Sequence, residues 1–167
     1  MKKVIFTAIL FSSFFITFAQ VRVGTNVNHG SQPIWGPEGY DHVEYYYMPD
    51  IDVFYNVPNR QYIYLNRGHW VFTRDLPSQY RNFDLYSGHK VVVNTYKPYR
   101  NAQSYRTKYA SYKGRSDQKS IRNSQDSRYF ENKDHPEHGK WQNDRKERNN
   151  NKKTNKKQGK RNRVRKS

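Results

Sequence analysis

Two short clusters in the sequence have residue types that ligate metal ions. Asp50 and Asp52 alternate along a strand-like segment, but hard cations take six or more oxygen ligands, and such a pair is more typical of a solvated sheet face. His135-Pro136-Glu137-His138, with Asp134 beside it, has the most metal-like spacing. Because the proline and the polar surroundings disfavour a preformed site, we predict no dedicated metal site and no cofactor.

A dense run of basic residues at the C-terminal end is the strongest chemical signal. Residues 148–167 contain ten Lys or Arg and no Asp or Glu, interspersed with Asn, Gln and Gly. Such a run can neutralise the phosphates or carboxylates of a polymer without a shaped pocket. The predicted polyanion-binding residues are Arg148, Lys152, Lys153, Lys156, Lys157, Lys160, Arg161, Arg163, Arg165 and Lys166.

Sequence motifs of the common enzyme classes are missing. There is no Gly-x-Ser-x-Gly, no His-Glu-x-x-His, no phosphate-binding glycine loop and no EF-hand spacing. The sequence also has no cysteine, which removes thiolate catalysis, disulfides and lipoprotein anchoring. We therefore predict a non-enzymatic protein with no catalytic residues.

The N-terminal segment has the features of a signal peptide. Lys2 and Lys3 precede an apolar run over residues 4–18, which is shorter than the roughly 20 residues of a spanning helix. Small residues before the predicted cleavage point leave Gln20 as the mature N-terminus, so residues 1–19 are the predicted signal peptide. We expect an exported protein of the periplasm or cell exterior, since an exported chain without disulfides suits a bacterial envelope.

Composition divides the rest of the chain. Residues 21–112 have a net charge of +3, whereas residues 113–167 have a net charge of +12. Fourteen of the fifteen tyrosines lie between Tyr40 and Tyr112. Because the sparse apolar residues after 112 cannot offset the entropy of ordering the chain, we predict a linker or edge segment at 20–39, a tyrosine-rich domain at 40–112 and a disordered basic tail at 113–167.

The tyrosine-rich domain is predicted to be a small antiparallel β-meander, which makes the fold mainly β. The alternation in 50–57 places Ile51, Val53, Tyr55 and Val57 on one face. Further strands are expected at 43–47, 61–65, 69–73 and 90–94, with a hairpin connection at Asn66-Arg67-Gly68. One short helix is expected from Pro98 to about Tyr112. Three consecutive tyrosines, 45–47, are not expected all to face a core, which leaves some exposed as platforms for sugar rings or bases.

The order of aromatic motifs resembles that of a group of uncharacterised small exported proteins of Gram-negative, Bacteroidetes-like bacteria. The matching residues are Tyr45-Tyr46-Tyr47-Met48-Pro49-Asp50, Val53-Phe54-Tyr55, Tyr62-Ile63-Tyr64, Gly68-His69-Trp70 and Leu76-Pro77. The resemblance covers about Trp35 to Tyr99. It implies a fold and a location, and it assigns no functional residues because that group has no established activity.

Three classes of function follow from these observations. The favoured one is an envelope or extracellular protein whose tail binds anionic partners: lipopolysaccharide, acidic polysaccharide, extracellular DNA or, peripherally, anionic lipid head groups. Insertion into a membrane is disfavoured because the tail has no apolar face. The alternative is a structural or assembly protein that pairs its open sheet edges with a strand of another protein. An enzyme of unfamiliar type is the least favoured.

Overall fold

A computed structural model describes residues 27–164 of the 167-residue chain. The predicted signal peptide and Gln20 lie outside the described residues. The regular elements are β1 (Tyr45–Met48), β2 (Val53–Asn56), β3 (Gln61–Asn66), β4 (His69–Thr73), β5 (Val91–Val93), α1 (Ala102–Lys108) and α2 (His138–Val164).

The five strands form one antiparallel sheet in the order β4-β3-β2-β1-β5. β1 to β4 are successive neighbours, which confirms the predicted meander, and β5 pairs with the free side of β1. The hairpin between β3 and β4 has the predicted position. Arg67 and Gly68 both have positive φ, 48° and 80°, as a two-residue connection of this hand requires.

Both faces of the sheet are covered, so the three consecutive tyrosines are all buried. Tyr46 and Tyr47 are completely buried and Tyr45 is 9% exposed. Tyr46 packs with Trp35 on one face, while Tyr45 and Tyr47 pack with Tyr99 on the other. The expectation that some of the three are exposed platforms was therefore wrong, because it assumed a sheet with one solvated face.

The face that holds Tyr45 and Tyr47 is covered by the predicted helical segment. Two short 3₁₀ helices, Pro98–Asn101 and Ala110–Tyr112, flank α1. Tyr105 of α1 lies 5.8 Å from Tyr47 and 5.4 Å from Phe54 between ring centroids. A short helix at this place was predicted from the tyrosine spacing, and the structure confirms it.

The opposite face is covered by Trp35 and by Leu76, Tyr80, Phe83 and Leu85 from the segment between β4 and β5. Trp35 belongs to the first of two irregular segments, residues 28–38 and 118–135, which we call the clasp. The second segment hydrogen-bonds to the first, with the amides of Ile121 and Arg122 donating to the carbonyls of Gly36 and Ile34, both at 2.8 Å. Within the second segment, Ile121 and Tyr129 are completely buried. The clasp therefore extends the folded body beyond both predicted boundaries of the tyrosine-rich domain.

The prediction of disorder from residue 113 onward differs from the structure over residues 113–137. Few apolar residues occur in this segment, which is why its composition predicts disorder. Two of them are nevertheless completely buried, and hydrogen bonds of polar side chains fix the remainder of the segment to the body. Asn132 donates to the carbonyl of Gln32 at 2.5 Å, and the Glu131 carboxylate accepts from the amide of Gly30 at 3.1 Å. The partners in these hydrogen bonds are about a hundred residues apart in the sequence, so local composition cannot predict them.

Residues 138–164 form α2, which raises the helical content of the described chain above its strand content. The expectation of a mainly β protein therefore holds for the body, where the sheet is the central element. Disorder of this segment in isolation stays a prediction.

The hydroxyl of Tyr129 provides a test of the clasp. It accepts hydrogen bonds from the amides of Gly39 and Tyr40, at 2.7 and 3.0 Å. Tyr129→Phe keeps the buried ring but removes the acceptor of these two partly buried donors, so we expect it to lower the free energy of unfolding by about 1 kcal/mol. Urea denaturation measures this change.

The matched control is Tyr96→Phe, because Tyr96 is 81% exposed. We expect no measurable change for that variant. Equal stability of the two variants would contradict the role assigned to the clasp.

Candidate polyanion interface

The basic residues predicted to bind polyanions lie on α2 as far as the structure describes them. The side chains of Arg148, Lys152, Lys153, Lys156 and Lys157 are all exposed. Lys160, Arg161 and Arg163 continue the same helix, and Arg165 and Lys166 lie outside the described residues.

The helix places the basic side chains of residues 145–157 on one side. Successive residues of an α-helix are rotated by about 100°, so Arg148, Lys152 and Lys156 follow one another along one row. Lys153 and Lys157 form an adjacent row. These five residues, together with Arg145 and Lys146, lie within an arc of about 180°, which we call the basic stripe. The opposite side has uncharged polar residues in its C-terminal part, namely Asn151, Thr154, Asn155 and Gln158.

Ion pairs do not neutralise the basic stripe. Among the described residues, no salt bridge joins a side chain of α2 to a carboxylate. The acidic residues of α2, Asp144 and Glu147, precede Arg148. The positive charge of the stripe is thus available to an external anion.

The first turn of α2 connects the helix to the body. His138 donates from Nδ1 to the carbonyl of Phe130 at 2.9 Å, and its ring lies 5.5 Å from that of Trp141. After Trp141, every side chain up to residue 158 is exposed. The basic stripe therefore belongs to a segment that packs on nothing in the described part of the chain.

Within residues 27–164, no helix combines the length and the apolar character needed to cross a membrane. α2 has no apolar row, because its polar and charged residues occupy every side between 142 and 158. Contact of this helix with an anionic surface would therefore depend on charge rather than on insertion.

Asp50 and Asp52 tie α1 and the turn after it to the loop between β1 and β2. Asp52 accepts from Nε of Arg106 at 2.7 Å and from the hydroxyl of Tyr47 at 3.1 Å. Asp50 accepts from the amide of Gly114 at 2.6 Å. The interpretation as a solvated outer face was incomplete, since both side chains are partly buried and hold the α1 layer on the sheet.

His135 and His138 shape the entry into α2. His135 is buried, and its Nδ1 accepts from the amide of Glu137 at 3.1 Å. In the described part of the chain, no three His, Asp or Glu side chains converge in a way that could hold a metal ion.

Sequence reasoning missed a buried lysine at the start of β5. Lys90 is 2% exposed, and Gln118 of the clasp hydrogen-bonds to both its backbone amide and its carbonyl, at 2.7 and 2.8 Å. Burial lowers the pKa of Lys90 to about 8, although the negative charges of Asp84 and Asp50 act in the opposite direction. No sequence pattern distinguishes this lysine from an exposed one.

Comparison with protein families, with characterised proteins and with solved structures finds no match for this chain.

The lowered pKa of Lys90 makes stability depend on pH. Between about pH 8 and the unfolded pKa of 10.5, the unfolded chain binds more protons than the folded chain, so the free energy of unfolding should rise with pH in this window. Lys90→Met should remove that slope. It should also raise the free energy of unfolding at pH 7 by about 1–3 kcal/mol, since one pKa unit corresponds to about 1.4 kcal/mol.

Urea denaturation from pH 7 to 9 checks this expectation, because buried tyrosines such as Tyr46 and Tyr47 begin to lower stability only as the pH approaches the unfolded tyrosine pKa of about 10. Lys108→Met, at an exposed lysine, is the control and should change neither the stability nor the slope. A wild-type protein with flat stability across this window would contradict the interpretation.

Proposed function

We propose that this is a non-enzymatic protein of the bacterial envelope or exterior whose basic C-terminal helix binds polyanions. The supporting observation is the basic stripe, which is exposed, makes no ion pair among the described residues and lies on one side of α2. Export is supported by the signal-peptide features of residues 1–19. The fitting partners outside the cytoplasm are lipopolysaccharide phosphates, acidic polysaccharides and released DNA.

The expected mechanism is electrostatic. Each phosphate that a Lys or Arg neutralises releases condensed counterions, which provides a favourable entropy and a strong dependence on salt. Rows of like charge four residues apart, such as Arg148, Lys152 and Lys156, destabilise an isolated helix. A bound polyanion removes this repulsion, so binding and helix formation should reinforce each other.

The basic stripe can be tested with two variants that change net charge equally. Lys152→Gln/Lys156→Gln removes two charges from the stripe, whereas Asn151→Asp/Asn155→Asp adds two negative charges on the opposite side. We expect the first variant to bind a short DNA duplex more weakly than the second. Its log–log salt slope should fall by about 0.9 for each lost phosphate contact. Fluorescence anisotropy between 50 and 300 mM salt measures both quantities.

Circular dichroism at 222 nm, recorded before and after addition of the duplex, provides a further measurement of the same mechanism. Helicity should rise on binding and should rise less for the lysine variant. Equal weakening by both variants would mean that net charge alone matters and that the stripe is not the binding element. Unchanged binding in both would contradict the proposal itself.

A second candidate function, strand pairing with another protein, is favoured by one observation. β4 is an edge strand, and near it Leu65 and Phe72 are 42% and 47% exposed. Such an edge can accept a strand from a partner or from a second copy. Size-exclusion chromatography should then show a defined complex that Phe72→Lys dissociates, while a monomer at all concentrations would count against self-pairing.

A further inference from the structure

A cleft of about 550 Å³ opens on the folded body beside the loop between β2 and β3. Its volume lies within the roughly 300–1,000 Å³ typical of small-molecule sites. A smaller cleft of about 220 Å³ shares Tyr55 and Arg60 with it and extends to Trp35. The larger cleft is lined by Tyr55, Pro58, Asn59, Arg60, Tyr62 and Arg74.

Two arginines line the larger cleft, and their guanidinium groups have no partner in the described part of the chain. Arg60 and Arg74 are exposed, and neither side chain makes a salt bridge or a hydrogen bond to a described residue. No carboxylate lines this cleft. The nearby acids are Asp75, which follows Arg74 in the chain, and Asp134, which lines the smaller cleft.

The floor of the cleft presents tyrosine hydroxyls. The rings of Tyr55 and Tyr62 lie 4.8 Å apart and pack against Trp35, so only the edge of each ring reaches solvent. Neither hydroxyl has a hydrogen-bond partner among the described residues. Burial raises the pKa of both hydroxyls, which keeps them protonated and able to donate.

The backbone holds Arg60 in an unusual conformation. Its φ is +53°, in the left-handed region that residues with a Cβ seldom adopt. The loop is fixed by hydrogen bonds from the amides of Asn59 and Arg60 to Asn56 Oδ1 and the Val57 carbonyl, at 2.8 and 3.3 Å. Asn or Gly would occupy this position with less strain.

We propose that this cleft binds an acidic sugar, a hexose ring that carries a carboxylate or phosphate group. The guanidiniums of Arg60 and Arg74 pair with the oxyanion through the parallel hydrogen bonds that arginine forms with such groups. The hydroxyls of Tyr55 and Tyr62 and the side-chain amide of Asn59 donate to the sugar oxygens. This site recognises one unit by its shape, and it is independent of the basic stripe, which recognises charge along a polymer.

The test uses the full chain in 0.3 M salt, which suppresses the electrostatic binding of α2. Calorimetric titration with glucuronate, glucose 6-phosphate, glucose and inorganic phosphate separates the contributions of ring and charge. We expect one or both acidic sugars to bind at least 10-fold more tightly than glucose and than phosphate. Binding of only one of them identifies the oxyanion as carboxylate or phosphate.

The variant Arg60→Asn/Arg74→Gln should weaken this binding at least 10-fold. Asn tolerates positive φ, so the variant should remain folded, which thermal denaturation verifies. The matched control is Arg67→Asn, because Arg67 is also exposed, also has positive φ and lies in the β3–β4 hairpin outside the cleft.

Any of the following results would overturn the proposal: no binding of either acidic sugar, equal binding of inorganic phosphate and the sugar phosphate, unchanged binding in Arg60→Asn/Arg74→Gln, or equal loss in the Arg67→Asn control. If Lys152→Gln/Lys156→Gln still binds the sugar, the cleft acts separately from the stripe. If this variant loses sugar binding, the binding belongs to α2 and the proposal is overturned.

Discussion

Burial of Tyr46 against the clasp is the interaction on which the fold depends. A sheet with an inner strand that reads Tyr-Tyr-Tyr-Met and with both faces covered must bury aromatic rings on both faces, and a buried hydroxyl usually needs a partner. Tyr46 donates to the side-chain oxygen of Gln32 at 3.2 Å. It lies so close to Gly36 that a Cβ there would be 2.6 Å from its hydroxyl oxygen. Gln32 and Gly36 of the clasp thus provide the hydrogen-bond acceptor and the space that the Tyr46 hydroxyl needs.

Several elements of this body could be predicted from local sequence. The faces of β2 were predictable because side chains alternate across a strand, and Ile51, Val53, Tyr55 and Val57 do share one cluster. The hairpin at Arg67-Gly68 and the helix near Tyr105 were predictable for similarly local reasons. Each of these features depends on neighbours within a few residues.

The clasp could not be predicted because its partners are distant in sequence. Residues 118–135 have few apolar side chains, and their order comes from polar groups that meet residues 28–41. A hydrogen bond from His29 and, after it, the pairing with Arg128 lower the pKa of the Asp41 carboxyl group. The average composition of this segment is that of a polar, disordered tail. Its order depends instead on two buried residues and on hydrogen bonds to residues that are distant in the sequence.

The two anion-binding surfaces would differ in what they can distinguish. Charge in the basic stripe was predictable from composition, whereas its confinement to one side of α2 required the helix. A stripe of solvated cations binds many polymers with a strength set by salt. A cleft lined by two guanidiniums and two tyrosine hydroxyls would disfavour ligands that leave these donors unpaired. Joined in one chain, the stripe would raise the local concentration of an acidic polymer near the cleft, so that weak recognition of one sugar unit adds to weak recognition of charge. The cleft would then select the sugar unit, and the basic stripe of α2 would keep the polymer bound.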